Sequence, residues 1–134
     1  LRFHHNWQTN NYHDNSKGTE RGQNTIYSVT IDGLNVVHLG DLGQDALTED
    51  QAQAIDADIL LIPVGSVYTI DAKSAAGIVA QLEPKIIIPM DYDDASLKIF
   101  LKEGGDEKIQ PIDKLTLKRK DLEGKEGDVI VLGY

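Results

Sequence analysis

No cysteine occurs among the 134 residues, which excludes both disulfides and thiolate metal sites. Nothing suggests a secreted framework held by bridges, and the cytoplasm is the expected compartment. Positive charge is scarce: 13 lysines and arginines stand against 22 aspartates and glutamates, for a net charge of −9. Such a chain is a poor match to a phosphate backbone or an anionic membrane surface. No apolar run approaches the roughly 20 residues of a membrane span, and there is no signal-peptide pattern. The chain opens on Leu1 rather than Met. Its length fits one domain, 1–134, able to bury roughly two thirds of its unfolded surface.

What is present centres on Leu34–Gly43, Leu-Asn-Val-Val-His-Leu-Gly-Asp-Leu-Gly. Apolar residues at 34, 36, 37 and 39 make a short buried strand that runs into Gly40-Asp41. Glycine there lets the backbone turn sharply and approach whatever Asp41 holds. A carboxylate at the carboxyl end of a buried strand suits a metal ligand or a catalytic acid. The alternative is that Asp41 caps the next helix.

Residues 1–24 are polar and carry His4, His5 and His13. The segment 1–12 reads as irregular, and 11–24 as a loop bearing His13 and Asp14. A loop histidine is ordinarily just solvated. Thr25–Ile31 alternates and is β-branched, and Asp32-Gly33 then separates it from the Leu34 strand. That pair between strand-like runs predicts a hairpin. The hairpin returns Asp41 to the edge from which the His13 loop departs.

Thr48 with Gln51 forms a capping-box pattern for a helix from Glu49 to about Ile55. Ile59–Pro63 and Lys85–Pro89 are continuous apolar strands flanking a helix over 72–82. Strand, helix, strand of this kind predicts a parallel βαβ unit. Ligands gather at the carboxyl ends of such strands, where Asp41, Asp71 and Asp91 fall. Asp93 and Asp94 are expected to start a helix over Ala95–Glu103. Leu115 and Leu117 alternate with polar residues, which suggests an edge strand protected by Lys118, Arg119 and Lys120 rather than a nucleic-acid contact. Asp128–Gly133 reads as a last strand.

His13-Asp-Asn-Ser with Glu20-Arg-Gly-Gln-Asn-Thr, His38-Leu-Gly-Asp-Leu-Gly43, Leu61-Ile-Pro-Val-Gly65 with Tyr68-Thr-Ile-Asp71, and Ile88-Pro-Met-Asp-Tyr92 agree in order and spacing with one family. From about Tyr12 onward the chain resembles the second half of metallo-β-lactamase-fold hydrolases, in the Zn-dependent hydrolase branch. The resemblance implies an α/β (α+β) fold, a half or truncated form of the four-layer αββα sandwich, with metals at one edge of the sheets. It implies that His13 is the family's third histidine and a metal ligand. By the same resemblance Asp41 is the carboxylate bridging two metals, and Asp91 stands where the family usually has its last histidine. The metal implied is zinc, one or two divalent ions, with manganese or iron as alternatives for an oxygen-rich site. The reaction implied is metal-assisted hydrolysis at a carbonyl or phosphoryl centre of a small molecule, with Asp41 as the catalytic carboxylate. His38 is expected to pack or to bond beside the ligands. Tyr68 and Tyr92 either line the cleft or are ordinary half-buried aromatics.

The sequence departs from the family in two places. Aspartate replaces histidine at 91, and the amino-terminal His-x-His-x-Asp-His motif is absent. His4-His5 does not substitute for it, since neighbours in an extended segment point apart. A chain lacking the amino-terminal half, as a fragment or a natural short form, is therefore expected. Its bare sheet face would be covered by a second copy in a homodimer or by the absent half. The competing expectation is a non-catalytic half-domain that acts through self-association or partner binding.

Overall fold

The computed structural model describes residues 3–12, 23–65 and 69–133. The alternating run and the apolar run after it form two antiparallel strands, β2 (Gln23–Ile31) and β3 (Leu34–His38). Between them Asp32 and Gly33 take positive φ, 50° and 80°. Positive φ at both central residues gives the type I′ turn, whose twist matches that of the flanking strands. A further strand, β1 (Phe3–Tyr12), pairs antiparallel with β2 from Phe3↔Ile31 to Tyr12↔Gln23. The segment 1–12, read as irregular, is thus extended over most of its length. Its Asn- and Gln-rich composition has weak strand preference, and pairing with β2 overrides it.

Beyond β3 the sheet becomes parallel. Both β4 (Ile59–Pro63) and β5 (Ile86–Met90) continue it, with α1 (Glu49–Ala54) before β4 and α2 (Ala72–Leu82) between β4 and β5. Thr48 starts α1 with the expected reciprocal cap: its Oγ1 accepts the Gln51 N–H at 3.1 Å, and Gln51 Oε1 accepts the Thr48 N–H at 3.0 Å. After β5 comes α3 (Asp94–Gly104). The last strand is shorter than expected, since β6 (Asp128–Val129) is followed only by a bridge between Ile112 and Leu132. The outcome is a six-stranded mixed sheet with strands in sequence order, the α/β architecture expected.

Alternation along the strands divides the core between the two faces of the sheet. Val37, Leu60, Ile62 and Ile87 pack with Ala75 and Ile78 of α2 and Phe100 of α3. Full burial of a Leu or Ile side chain stabilises by roughly 1.5–3 kcal/mol, so this layer dominates cohesion. On the opposite face Ile59, Ile86 and Ile88 meet Leu122, with Leu115 and Leu117 packed alongside. Lys114–Lys120 is therefore not an edge strand. Residues 114–118 are irregular, and Arg119–Leu122 is a 3-10 turn. Leu115 and Leu117 alternate because they reach down onto the sheet face, not because they pair with a neighbouring strand. This cover is partial: Val36 and Leu61 stay partly buried, and Tyr27, opposite His38 in β3, is 46% exposed. No helix among the described residues is long and apolar enough to cross a membrane.

Candidate metal centre

The carboxyl ends of β3, β4 and β5 lie at one edge of the sheet because the three strands are parallel. Past the end of β3, the Leu39 N–H donates to the Leu61 carbonyl at 3.1 Å, and the Leu39 side chain is fully buried. The backbone then reverses at Gly40, with φ of 63°. Asn24 binds this turn on both sides: its Oδ1 accepts the Asp41 N–H at 3.0 Å, and its Nδ2 donates to the Leu39 carbonyl at 2.8 Å. His38 Nδ1 accepts the Gly40 N–H at 3.0 Å. A Cβ at position 40 would lie 2.6 Å from Asn24 Oδ1 and 2.9 Å from the Thr25 carbonyl. Glycine is thus required there by φ and by close approach alike.

Leu42 follows, fully buried, its carbonyl accepting the Ile70 N–H at 2.9 Å. Asp41 is therefore an exposed residue between two buried leucines, held through its backbone. Among the described residues its carboxylate takes part in no hydrogen bond or ion pair. It does not cap α1, a role that Thr48 fills. With Asn24, Thr25, Tyr27 and His38 it lines an open hollow of about 640 Å3.

Asp91 stands directly after β5 with φ of 53°. Aspartate tolerates this left-handed conformation better than most residues. The loop after β4 presses against it: a Cβ on Gly65 would fall 2.0 Å from the Asp91 carbonyl oxygen and 2.9 Å from its Oδ2. Thr69 Oγ1 donates to Oδ2 over a long 3.4 Å. Two strand spacings, roughly 10 Å, separate the ends of β3 and β5, and Asp41 and Asp91 follow those ends at the same edge of the sheet.

Two further aspartates near this edge, Asp71 and Asp93, are committed to helix caps. Asp71 Oδ1 accepts the Ser74 N–H at 2.7 Å and starts α2. Asp93 Oδ1 accepts the Ser96 N–H at 2.7 Å and starts α3. The Ser96 backbone bond, reinforced by the Ser96 hydroxyl, holds the exposed Asp93 carboxyl below its ordinary value. Tyr92 donates its hydroxyl to the Leu132 carbonyl and packs on the core, which favours an anchoring role over a cleft-lining one. Tyr68 and His13 lie outside the described residues. The residue before His13, Tyr12, pairs with Gln23, next to the Asn24 that binds Asp41. Among the described residues no three imidazole or carboxylate side chains are grouped to hold an ion by themselves.

Sequence reasoning missed Asn24, Gly65 and Thr69. Asn24 carried a readable signal. Counting outward from the Asp32-Gly33 turn in the hairpin's register, Tyr27↔His38, sets Asn24 opposite Asp41. Gly65 and Thr69 act across long sequence separations, and the family motifs that contain them assign them no role.

A mixed six-stranded sheet with helices between its parallel strands is an α/β domain, and comparison with known proteins places it in a class. Residues 6–91 match the family described as the beta-lactamase superfamily domain, and the chain belongs to that family. A UPF0173 metal-dependent hydrolase of Pyrobaculum islandicum is 36% identical over 73 residues, which are 54% of this chain and 32% of that protein. Another, from Thermococcus kodakarensis, is 33% identical over 86 residues, 61% of this chain and 38% of the relative. The matches span about a third of these relatives' length. A crystal structure of a metallo-beta-lactamase superfamily protein from Thermotoga maritima superposes with a TM-score of 0.74 at 26% identity, covering 98% of this chain and 66% of that one.

Proposed function

We propose that this chain carries the carboxylate side of a divalent-metal centre in a metal-dependent hydrolase, with His13, Asp41 and Asp91 as ligands. The observation that carries this reading is the uncommitted carboxylate of Asp41, presented at the edge by a turn whose backbone is pinned by the side chains of Asn24 and His38. The donor chemistry fits: carboxylate oxygens from Asp41 and Asp91 and one imidazole suit zinc, manganese or iron, and no thiolate is present. A divalent ion held there would supply Lewis-acid polarisation of a carbonyl or phosphoryl oxygen. Asp41 holds the ion from the β3 turn. Asp91 approaches from the end of β5, its carboxylate steadied by Thr69 and its backbone by contact with Gly65. The hollow beside Asp41, with Tyr27 and His38 on its wall, is where a small substrate is expected to sit.

Elemental analysis of protein purified after zinc or manganese supplementation tests the reading, with Asp91→His alongside. Histidine also tolerates left-handed φ, so this variant should fold and bind zinc more tightly than the natural chain. Metal-free protein under both supplements, with no gain from Asp91→His, would contradict the assignment. The same reading expects a second layer over the face that carries Tyr27 and Leu61, from a second copy or from a further stretch of chain. A homodimer that appears by light scattering as concentration rises would identify that layer as a second copy.

A further inference from the structure

Asn24 stands opposite Asn11 in the pairing of β1 with β2, and its side chain makes the two bonds that define the Asp41 turn. We propose that Asn24 is a positioning residue that fixes the Asp41 carboxylate for a divalent cation; this rests on the metal-site reading above. Among side chains of this size, only a primary amide offers an acceptor and a donor from one planar group. Here Oδ1 faces an N–H and Nδ2 faces a carbonyl, so the rotated amide would lose both bonds. The two partners flank Gly40, the residue with the least steric restriction on its backbone. Without Asn24, the residues on either side of that glycine lose their shared tie to β2. Gly40 is moulded to the same amide, since a Cβ there would overlap Asn24 Oδ1 at 2.6 Å. The strap is also strictly local. Leu39 and Leu42 stay buried on either side, so releasing Asn24 frees the direction of the Asp41 carboxylate more than it loosens the fold.

The test is calorimetric titration of the intact protein with Mn2+ and separately with Zn2+, paired with NMR amide exchange. Supporting groups around a metal ligand typically govern affinity by about 10- to 100-fold, and Asn24→Ala should lose that much. The Asp41 amide should exchange faster in the same variant. Thr30→Val is the control. It removes the Thr30 Oγ1 bond to Asn35 Oδ1, 2.9 Å, which also crosses the hairpin but near its closed end. It should lower the melting temperature while leaving both metal affinity and Asp41 exchange unchanged. Should Asn24→Ala fail to fold, Asn24→Gln serves: it keeps the amide but displaces it by one carbon, and should lose affinity too. Wild-type affinity in the folded Asn24 variants, with Asp41→Asn clearly weakened, overturns this inference alone. Unchanged affinity in Asp41→Asn overturns the metal-site reading and takes the inference with it.

Discussion

Asp41 and Asp71 are both exposed aspartates that follow a buried strand and precede a helix, but the structure employs them differently. Asp71 spends its carboxylate on the Ser74 N–H, 2.7 Å away, and so begins α2. Asp41 is held by its own N–H, accepted by Asn24, and its carboxylate stays unclaimed among the described residues. A helix cap satisfies an orphan backbone donor and consumes the side chain. A side chain of the opposite strand that satisfies the backbone leaves the carboxylate for something else. Position at a strand end therefore does not make an aspartate a ligand candidate. What separates the two is which atom of the residue the fold uses.

The largest expected effect comes from the loop that presses on Asp91. Gly65→Ala would set a Cβ 2.0 Å from a backbone oxygen. Forced overpacking of this kind costs about 3 kcal/mol, the upper end of the usual range. Urea unfolding should show the midpoint falling accordingly, and an unchanged midpoint would mean that the β4 loop does not touch Asp91. Gly40→Ala comes next. Left-handed φ alone costs about 1–2 kcal/mol for a residue with a Cβ, and the contacts with Asn24 and Thr25 add to that. Its loss should be accompanied by faster exchange at the Asp41 amide, which Gly65→Ala should not produce.

Removing the carboxylates sharpens the comparison at a smaller scale. Asp71→Ala should destabilise by about 1 kcal/mol, the usual cost of a lost N-cap. Asp41→Ala should leave the metal-free unfolding midpoint nearly where it was, since no described partner loses a bond. Equal losses in the two variants would erase the distinction. The smallest effect is expected from acid. Asp93 has its carboxyl held below the ordinary 3.8 by the Ser96 bonds. A depressed value in the folded state contributes stability above pH 3.8, and this is lost as pH falls below 3.8 and through the folded value. Between pH 4 and pH 2 the wild-type midpoint should therefore fall more steeply than that of Asp93→Asn, which does not titrate.

Much of the scaffold was legible because its signals were local. Asp32-Gly33 specified the hairpin, Thr48 with Gln51 specified the start of α1, and two continuous apolar runs around a helix specified the parallel unit. The illegible parts depended on partners far along the chain. β1 is polar, and β2 makes it a strand. Leu115 and Leu117 imitate a strand because a coil descending onto an apolar face also alternates. The site divides the same way. Asp41 was visible as a candidate with a cap as its alternative, and the cap of α1 at Thr48 removes that alternative. The left-handed turn at Asp91 and its contact with Gly65 left no trace in local pattern. His13, named by resemblance, lies outside the described residues, and only the strand that leads to it, β1, reaches the edge that carries Asp41.

The central claim is that Asp41, and not Asp71, holds a divalent ion. Parallel calorimetric titrations of Asp41→Asn and Asp71→Asn with Mn2+ test it most directly. Asparagine preserves both shapes and still caps a helix, so each variant should fold. The account predicts that Asp41→Asn loses most of the binding and Asp71→Asn keeps it. Undiminished binding in Asp41→Asn, or an equal loss in both variants, would contradict it.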